Sequence, residues 1–145
     1  MTEIAFHFNV PDKLGYSCRL LRKAYLSGAK IAVTGEAEVL AELDRLLWSF
    51  SPAQFVPHCF ANAPEIIVAV TPILLTGSPA PAPQQDVLVN IGQTVPAEFD
   101  RFQRFIEIVA LANDDVSAGR SRWRHYAALG YDLTKHDLAR PGESP

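Results

Sequence analysis

A short basic and aromatic segment late in the chain carries the first residues whose types suit binding chemistry. It contains Arg120, Arg122, Trp123, Arg124 and Tyr126. If the segment is helical, Arg120 and Arg124 share one face, because residues four apart are neighbours on a helix, and Trp123 lies beside them. Guanidinium groups fork to carboxylates, and an adjoining aromatic surface takes a hydrophobic side chain. The pattern therefore suits a ligand such as a peptide C-terminus, and the alternative is a solvated charged face.

A second cluster places large apolar side chains at a predicted helix end and in the loop that follows. It includes Trp48, Phe55, Val56 and Pro57, followed by His58. Exposed aromatic residues are frequent anchors of protein interfaces, whereas buried ones belong to an ordinary core. Residue types alone leave both interpretations open.

Catalytic and metal-binding patterns are hard to find. The four histidines are scattered, without an HExxH motif or close Cys and His spacing. His58 beside Cys59 comes nearest to a base and a nucleophile, but a packing pair in a loop is the simpler interpretation. Asp114 and Asp115 fall on different sides of a predicted helix, and their place in its first turn explains them. No catalytic residue, metal ion or cofactor is therefore expected.

Phosphate-binding loops are also missing from the sequence. After its first strand, a nucleotide-binding α/β protein needs glycines that let phosphates approach the amides of a helix N-terminus. That turn is Asn-Val-Pro-Asp at residues 9–12, and neither GxGxxG nor GxxxxGK followed by Ser or Thr occurs. Nucleotide binding is not expected.

The composition is that of an ordinary folded domain. The chain has 145 residues, of which 48% are hydrophobic and 20% are charged. No stretch is long and apolar enough for a membrane span or an export signal, so we expect a cytoplasmic location. The formal net charge of −3 argues against direct contact with nucleic acid phosphates. Cys18 and Cys59 lie in different predicted elements and are expected to be reduced.

The hydrophobic pattern of the first half predicts an α/β fold. Residues 4–8 alternate as a strand, a helix begins near Asp12 and ends at Gly28, and residues 30–33 form another strand. This order is typical of a parallel strand pair with a right-handed crossover. A second helix over residues 36–48 would cover the sheet with its leucine stripe.

The middle of the chain predicts two central strands and two loops. Residues 66–70 and 87–91 are apolar on both faces, as expected of strands in the middle of a sheet covered by helices. Prolines in residues 51–64 predict an ordered loop, and those in residues 78–84 predict a mobile surface loop.

The last third predicts a strand, a helix and a short edge strand. The β-branched second half of residues 99–109 favours a strand. Asn113 would cap the last helix and Gly130 would end it, with residues 131–133 as the edge strand. We expect one domain over residues 1–138 and a flexible tail over residues 139–145.

Both clusters resemble the chi subunit family of bacterial DNA polymerase III. A helix that ends in Leu-Trp at Trp48, followed by Phe-Val-Pro-His at residues 55–58, is similar to that family's most recognisable stretch. The arginines and aromatic residues of segment 120–133 are similar too, as is its Gly-Tyr-Asp-Leu end. Residues 86–89 match the strand after the family's variable loop, and the likeness extends from residue 6 to about residue 136.

The resemblance implies a fold, a function and two sets of contact residues. The fold is one Rossmann-like three-layer α/β sandwich, with a mostly parallel central sheet and no phosphate-binding loop. The function is a non-catalytic adaptor between the psi subunit of the clamp loader and the C-terminal tail of single-stranded DNA-binding protein, with DNA contacted only indirectly. The psi side uses Trp48, Phe55, Val56 and Pro57. The tail side uses Arg120, Arg122, Trp123, Arg124 and Tyr126. The alternative is a small α/β enzyme, a hydrolase or nucleotide-binding protein, without a recognisable motif.

Overall fold

A single all-parallel sheet forms the centre of the fold. The computed structural model describes residues 1–49, 55–79 and 82–139. The strands are β1 (Glu3–Val10), β2 (Ile31–Thr34), β3 (His58–Phe60), β4 (Ile73–Thr76), β5 (Val87–Asn90), β6 (Arg104–Ala110) and β7 (Leu133–Asp137). The helices are α1 (Lys13–Leu26), α2 (Ala37–Ser49), α3 (Glu65–Val70) and α4 (Asn113–Ala128). The order across the sheet is β3-β4-β2-β5-β6-β1-β7, and every described pairing is parallel.

Helices cover both faces of this sheet, which gives three layers. On one face, Leu21 of α1 and Leu43 of α2 are fully buried in a cluster with Ile31 and Val33. On the other face, Tyr126 of α4 packs in a second cluster that Val68 of α3 adjoins. Full burial of such a side chain contributes roughly 1.5–3 kcal/mol. The predicted α/β sandwich is confirmed, with a sheet that is entirely parallel among the described residues.

The ends of α1 lie where the sequence predicts them. The side chain of Asp12 accepts a hydrogen bond from the Gly15 N–H at 3.1 Å, which caps the helix start. Beyond the helix end, Gly28 adopts φ +88°, a left-handed conformation that favours glycine. Strand β2 follows, but it does not pair with β1, because β5 and β6 lie between them. The predicted pairing of the first two strands is therefore wrong.

Residues 66–70 form a helix and not the predicted central strand. Pro64 is the residue before α3, a position where its fixed φ and missing N–H are tolerated. The Gln84 side-chain amide donates to the carbonyls of Val68 and Thr71, which stabilises the helix end. Strand β4 comes directly afterwards and is fully buried. A short segment with apolar residues on every side can form either a strand or a helix, because its pattern fits both. Here the neighbouring prolines favour the helix.

The two predicted loops contain more structure than expected. Strand β3 lies within the predicted 51–64 loop, of which residues 51–54 fall outside the described part. In the predicted 78–84 loop, residues 80 and 81 fall outside the described part of the chain, while Ala82 and Gln84 are buried. The Arg101 guanidinium donates to the Pro79 carbonyl at 2.7 Å. The predicted surface position is therefore wrong for these described residues.

The last third follows the prediction with shifted boundaries. Strand β6 confirms the strand expected in residues 99–109, after a short 3₁₀ helix at Phe99–Arg101. Helix α4 ends at Ala128, and Gly130 follows its C-cap Leu129 with φ +93°, the left-handed stop that was predicted. At its start, Ala112 occupies the N-cap position and Asn113 is the first helical residue. The edge strand β7 exists, two residues later than expected. The predicted tail lies outside the described residues from residue 140 onward.

Candidate contact surfaces

At the carboxyl edge of the sheet, where α/β proteins commonly bind ligands, Lys13 and Asp115 bind each other and the backbone. The Lys13 ammonium donates to the Ile91 carbonyl at 3.0 Å and pairs with Asp115 at 2.9 Å. Burial alone would raise the pKa of Asp115, but hydrogen bonds from the Ala110 N–H and Lys13 hold that pKa below its ordinary value. The carboxylate is thus ionised and tied to the protein, and these side chains take up the part of the carboxyl edge that follows β5 and β6.

A groove opens on the sheet face beside α4. Its volume is about 480 Å³, and it lies between α4 and strands β1, β6 and β7. Most of its lining is apolar or aromatic, with basic side chains at the rim. The lining residues are Phe6, Phe8, Asn9, Val109, Val116, Gly119, Arg120, Trp123 and Lys135.

Two of the five predicted tail-binding residues line this groove. Arg120 and Trp123 belong to the stripe of α4 that faces it, and Arg124 is exposed one helical turn after Arg120. The Trp123 ring packs edge-on against Phe6, with 5.1 Å between centroids. Lys135 of β7 places its ammonium 5.2 Å from the Trp123 ring centroid. The structure thus brings Arg120 and Trp123 together with Lys135, which the sequence did not identify, whereas Arg124 is exposed and does not line the groove.

Arg122 and Tyr126 lie on the opposite side of α4, inside the protein. Arg122 is 2% exposed, and its Nε donates to Glu107 Oε2 at 2.9 Å. The Tyr126 hydroxyl donates to the same oxygen at 2.7 Å, and the Asn90 amide donates to Oε1 at 3.0 Å. Because two residues rotate a helix by about 200°, positions 122 and 126 cannot share the face of positions 120 and 124. The prediction that Arg122 and Tyr126 contact a partner directly is therefore corrected.

The buried Glu107 carboxylate is at the centre of this interior network, where burial shifts the pKa values of Glu107 and Tyr126. Burial raises the pKa of Glu107, while the Arg122 guanidinium and the hydrogen bonds from Tyr126 and Asn90 oppose that rise. Burial, reinforced by the Glu107 charge, likewise raises the pKa of the Tyr126 hydroxyl. The network joins β5 and β6 to α4, so it fixes the helix that carries the exposed arginines.

The second predicted cluster forms an exposed aromatic patch at the other end of the sheet. Trp48 is 61% exposed and Phe55 is 44% exposed, and their ring centroids lie 5.1 Å apart. Pro57 is partly buried beside them. Val56 has no exposed surface, because its side chain points into the core while its neighbours face out. The prediction that Val56 contacts a partner is therefore corrected, because Val56 instead anchors its neighbours to the core. We call the surface formed by Trp48, Phe55 and Pro57 the Trp48 patch.

His58 holds the Trp48 patch in place. Its Nδ1 donates to the Val56 carbonyl at 2.7 Å, and its Nε2 lies 2.9 Å from Asp44 Oδ1 of α2. Its ring lies 5.3 Å from the Trp48 ring, centroid to centroid. These contacts explain His58 as a packing residue that links α2 to β3. Sequence reasoning missed Asp44, because a carboxylate on a predicted solvent face has no pattern that identifies its partner.

The remaining candidates for chemistry have structural explanations. Cys18 is buried in α1, and that burial, with the nearby Asp12 charge, raises the pKa of its thiol to about 11. Cys59 is a free thiol in β3. Within residues 1–49, 55–79 and 82–139, no group of three or more His, Cys, Asp or Glu side chains is placed to hold a metal ion. No helix in this part of the chain is long and apolar enough to cross a membrane.

The geometry defines a class: an α/β sandwich, all-parallel among the described residues, that presents an aromatic patch and a basic-rimmed apolar groove. Comparison with known sequences narrows that class. The family model described as DNA polymerase III chi subunit, HolC, matches residues 1–134. The chain belongs to the DNA polymerase III chi subunit family, which gives it an accessory role in DNA replication.

Two curated relatives agree with this assignment. The DNA polymerase III subunit chi of Pseudomonas aeruginosa is 32% identical over 146 aligned positions, which cover 97% of this chain and 99% of the relative. The protein of the same name from Haemophilus influenzae is 27% identical over 124 positions, which cover 84% of this chain and 85% of the relative. The likeness to the Pseudomonas aeruginosa protein therefore extends over nearly the whole chain.

Proposed function

We propose that this chain is a replication adaptor that joins the psi subunit of the clamp loader to the C-terminal tail of single-stranded DNA-binding protein. Family membership supplies the replication context. The observation that carries the proposal is the apolar groove with Arg120 at its rim and Arg124 beside it. Such a role places the chain in the cytoplasm, without direct contact to DNA.

The groove suits the end of an acidic tail that closes with an aromatic residue. Its floor is formed by Phe6, Phe8 and Trp123, which offer an apolar surface to a terminal ring. Arg120, with Arg124 one turn away, offers guanidinium groups to the terminal carboxylate. The arginine–carboxylate contact is not strong without the apolar contact, because exposed ion pairs contribute only about 0–1 kcal/mol. Arg122 and Tyr126 serve the site by holding α4 through Glu107.

The Trp48 patch suits a protein partner such as the psi subunit. Trp48 and Phe55 together expose a contiguous aromatic surface, and aromatic anchors of this kind dominate the energetics of many interfaces. Pro57 stiffens the segment beside them, and the buried Val56 with His58 fixes its position. Little reorganisation would accompany binding, which favours affinity.

The two surfaces are far enough apart to be used together. The Trp48 patch adjoins β3 at one edge of the sheet, and the groove lies over β1 and β7 at the other. Neighbouring strands are roughly 4.8 Å apart, so the surfaces are separated by roughly 25 Å. One chain therefore has room for both partners at once.

A capture experiment tests this proposal. The full chain, carrying an affinity tag, is used to recover proteins from an extract of its own cells, and the bound proteins are identified by mass spectrometry. We expect the recovered proteins to include subunits of the clamp loader and also single-stranded DNA-binding protein. Phe55→Ala should lose the first partner selectively and Arg124→Ala the second. Recovery of neither partner by the folded wild-type chain would overturn the proposal.

A further inference from the structure

Two histidines lie side by side on the sheet face that carries α1. His7 of β1 and His136 of β7 are register partners in neighbouring parallel strands, and their ring centroids lie 4.6 Å apart. Successive residues of a strand point to opposite faces, so the pair faces away from the groove, which the adjacent Phe6 and Lys135 line. The pair therefore belongs to neither candidate contact surface.

The spacing of the two rings fits one shared transition-metal ion. A Zn–N bond to imidazole is about 2.0–2.1 Å long, so two rings on one zinc ion have centroids roughly 4.5–5.2 Å apart when the N–Zn–N angle is about 90–110°. The observed separation of 4.6 Å lies in this range, and the ring planes are inclined by 51° and not stacked. Strand pairing thus already holds the rings at the distance that a shared ion requires.

Tyr16 supplies the kind of hydrogen bond that orients a metal-binding histidine. His7 is 8% exposed, and its Nδ1 forms a hydrogen bond with the hydroxyl of Tyr16, a buried residue of α1. When Nδ1 donates its proton to the Tyr16 oxygen, Nε2 carries the lone pair that a metal ion needs. His136 is exposed on the edge strand, so an ion can reach the pair from solvent.

We propose that His7 and His136 bind one divalent transition-metal ion through their imidazole nitrogens, with Tyr16 as the positioning residue of His7. Imidazole ligands suit zinc, copper and nickel, whereas magnesium and calcium prefer oxygen ligands. Within the described part of the chain, no group of three His, Cys, Asp or Glu side chains forms here, so water takes the remaining coordination positions. This inference does not rest on the proposed adaptor function.

The bound ion stabilises the end of the sheet. Strand β7 lies at the edge and pairs with β1 alone, so the ion adds a side-chain link to the backbone hydrogen bonds that hold it. Because unfolding separates the two histidines, the folded chain binds the ion more tightly than the unfolded chain does. Zinc should therefore raise the thermal midpoint of the wild-type chain.

Calorimetric titration of the full chain without an affinity tag tests the site, with zinc chloride as the probe. Wild type should bind one ion per chain. His136→Gln, which removes an exposed ligand, should weaken binding by more than about tenfold, and so should His7→Gln. Tyr16→Phe keeps the ring but loses the hydroxyl, and should weaken binding by about tenfold. His125→Gln, at an exposed histidine of α4, is the matched control and should bind as wild type does.

Two further measurements separate a shared ion from a general loss of structure. The electron paramagnetic resonance spectrum of the copper(II)-loaded chain should show hyperfine splitting from two imidazole nitrogens in wild type and from one in His136→Gln. Thermal melts without metal establish that each variant is folded. Melts with zinc should show a raised midpoint for wild type and His125→Gln, and an unchanged midpoint for His136→Gln.

The remaining outcomes would overturn the inference. If folded wild type binds no zinc, the pair is only a packing contact. If His136→Gln or His7→Gln binds zinc as tightly as wild type, the two rings do not share an ion. If His125→Gln loses as much affinity as His136→Gln, the ion binds surface histidines without a defined site. None of these results bears on the capture of replication proteins, so the proposed function is tested separately.

Discussion

Two arginines of α4 that are two positions apart have opposite roles. Arg122 is buried against Glu107, whereas Arg124 is exposed next to the groove. The sequence identifies both as parts of one basic segment, but the 200° rotation between them assigns one to the interior and one to the surface. Charge in a sequence therefore marks a binding surface only once the helix face is known.

Arg122→Ala should destabilise the protein strongly. The substitution leaves the Glu107 carboxylate buried without its cation, and breaking a buried ion pair in this way costs about 3–5 kcal/mol. Urea denaturation measures the loss. Arg124→Ala, the matched control on the exposed face, should change the free energy of unfolding by less than about 0.5 kcal/mol. Equal stabilities for the two variants would contradict the burial of Arg122.

Phe55→Ala and Val56→Ala should separate binding from stability at adjacent positions. Phe55 is exposed, so its truncation should weaken capture of the clamp loader by about 2 kcal/mol while the thermal midpoint stays nearly constant. Val56 is fully buried, so Val56→Ala should lower the free energy of unfolding by about 1–2 kcal/mol. Calorimetric melts and clamp-loader capture are measured on both. A large drop in midpoint for Phe55→Ala would make it a core residue.

His7 should make the stability depend on pH. Burial, with His136 and Arg104 nearby, lowers the pKa of His7 from 6.5 to about 4. Because the folded protein resists protonation that the unfolded chain accepts, stability should fall as the pH drops from about 6.5 towards 4. The full loss is roughly 3 kcal/mol, at about 1.4 kcal/mol per pH unit. His7→Gln should flatten this part of the urea-denaturation profile, and an unchanged slope would count against a buried neutral His7.

Helix α3 shows where sequence patterns fail at the scale of one element. Ile66, Ile67 and Val70 form an apolar run typical of a central strand, yet they are exposed on a six-residue helix, and Ile66 is 75% exposed. Propensity is overridden by Pro64 at the start and by Gln84, which contacts the helix end from a distant part of the chain. That long-range contact has no local signal in the sequence.

Elements with local start and stop signals were predictable. Asp12 and Gly28 mark α1, the leucine stripe marks α2, and Gly130 marks the end of α4. The order of the strands in the sheet was not predictable, because it depends on which faces of the elements meet in space. For the same reason the groove was only half predicted: Arg120 and Trp123 have a helical pattern, whereas Lys135 joins them through the pairing of β7 with β1.

Gly119→Ala should displace α4 from the sheet. A Cβ at position 119 would lie 2.9 Å from Cγ2 and 3.1 Å from Cγ1 of Val109, a β-branched residue that cannot swing away. Overpacking of this kind costs about 1–3 kcal/mol, against a gain of about 1 kcal/mol in helix propensity. We expect lower stability and weaker tail-peptide binding. Ser117→Ala, on the exposed side of the same helix, is the control, and matching behaviour of the two would contradict close packing at Gly119.

At the scale of the whole molecule, the sheet separates the two candidate surfaces. Its order puts β3 and the Trp48 patch at one edge, and β7 with the groove at the other. The net charge of −3 hides this arrangement, because the cations at the groove are outnumbered elsewhere in the chain. Salt should weaken tail binding without abolishing it, since ions screen the arginines but not the apolar floor.

Surface plasmon resonance can show whether one chain joins both partners at the same time. Single-stranded DNA coated with single-stranded DNA-binding protein is immobilised, and a clamp loader lacking chi is injected with or without the full chain. If the chain is an adaptor, the clamp loader should be stably retained only when the chain is present, and either Phe55→Ala or Arg124→Ala should abolish that retention. Equal retention without the chain, or a chain that binds each partner but never both together, would contradict it.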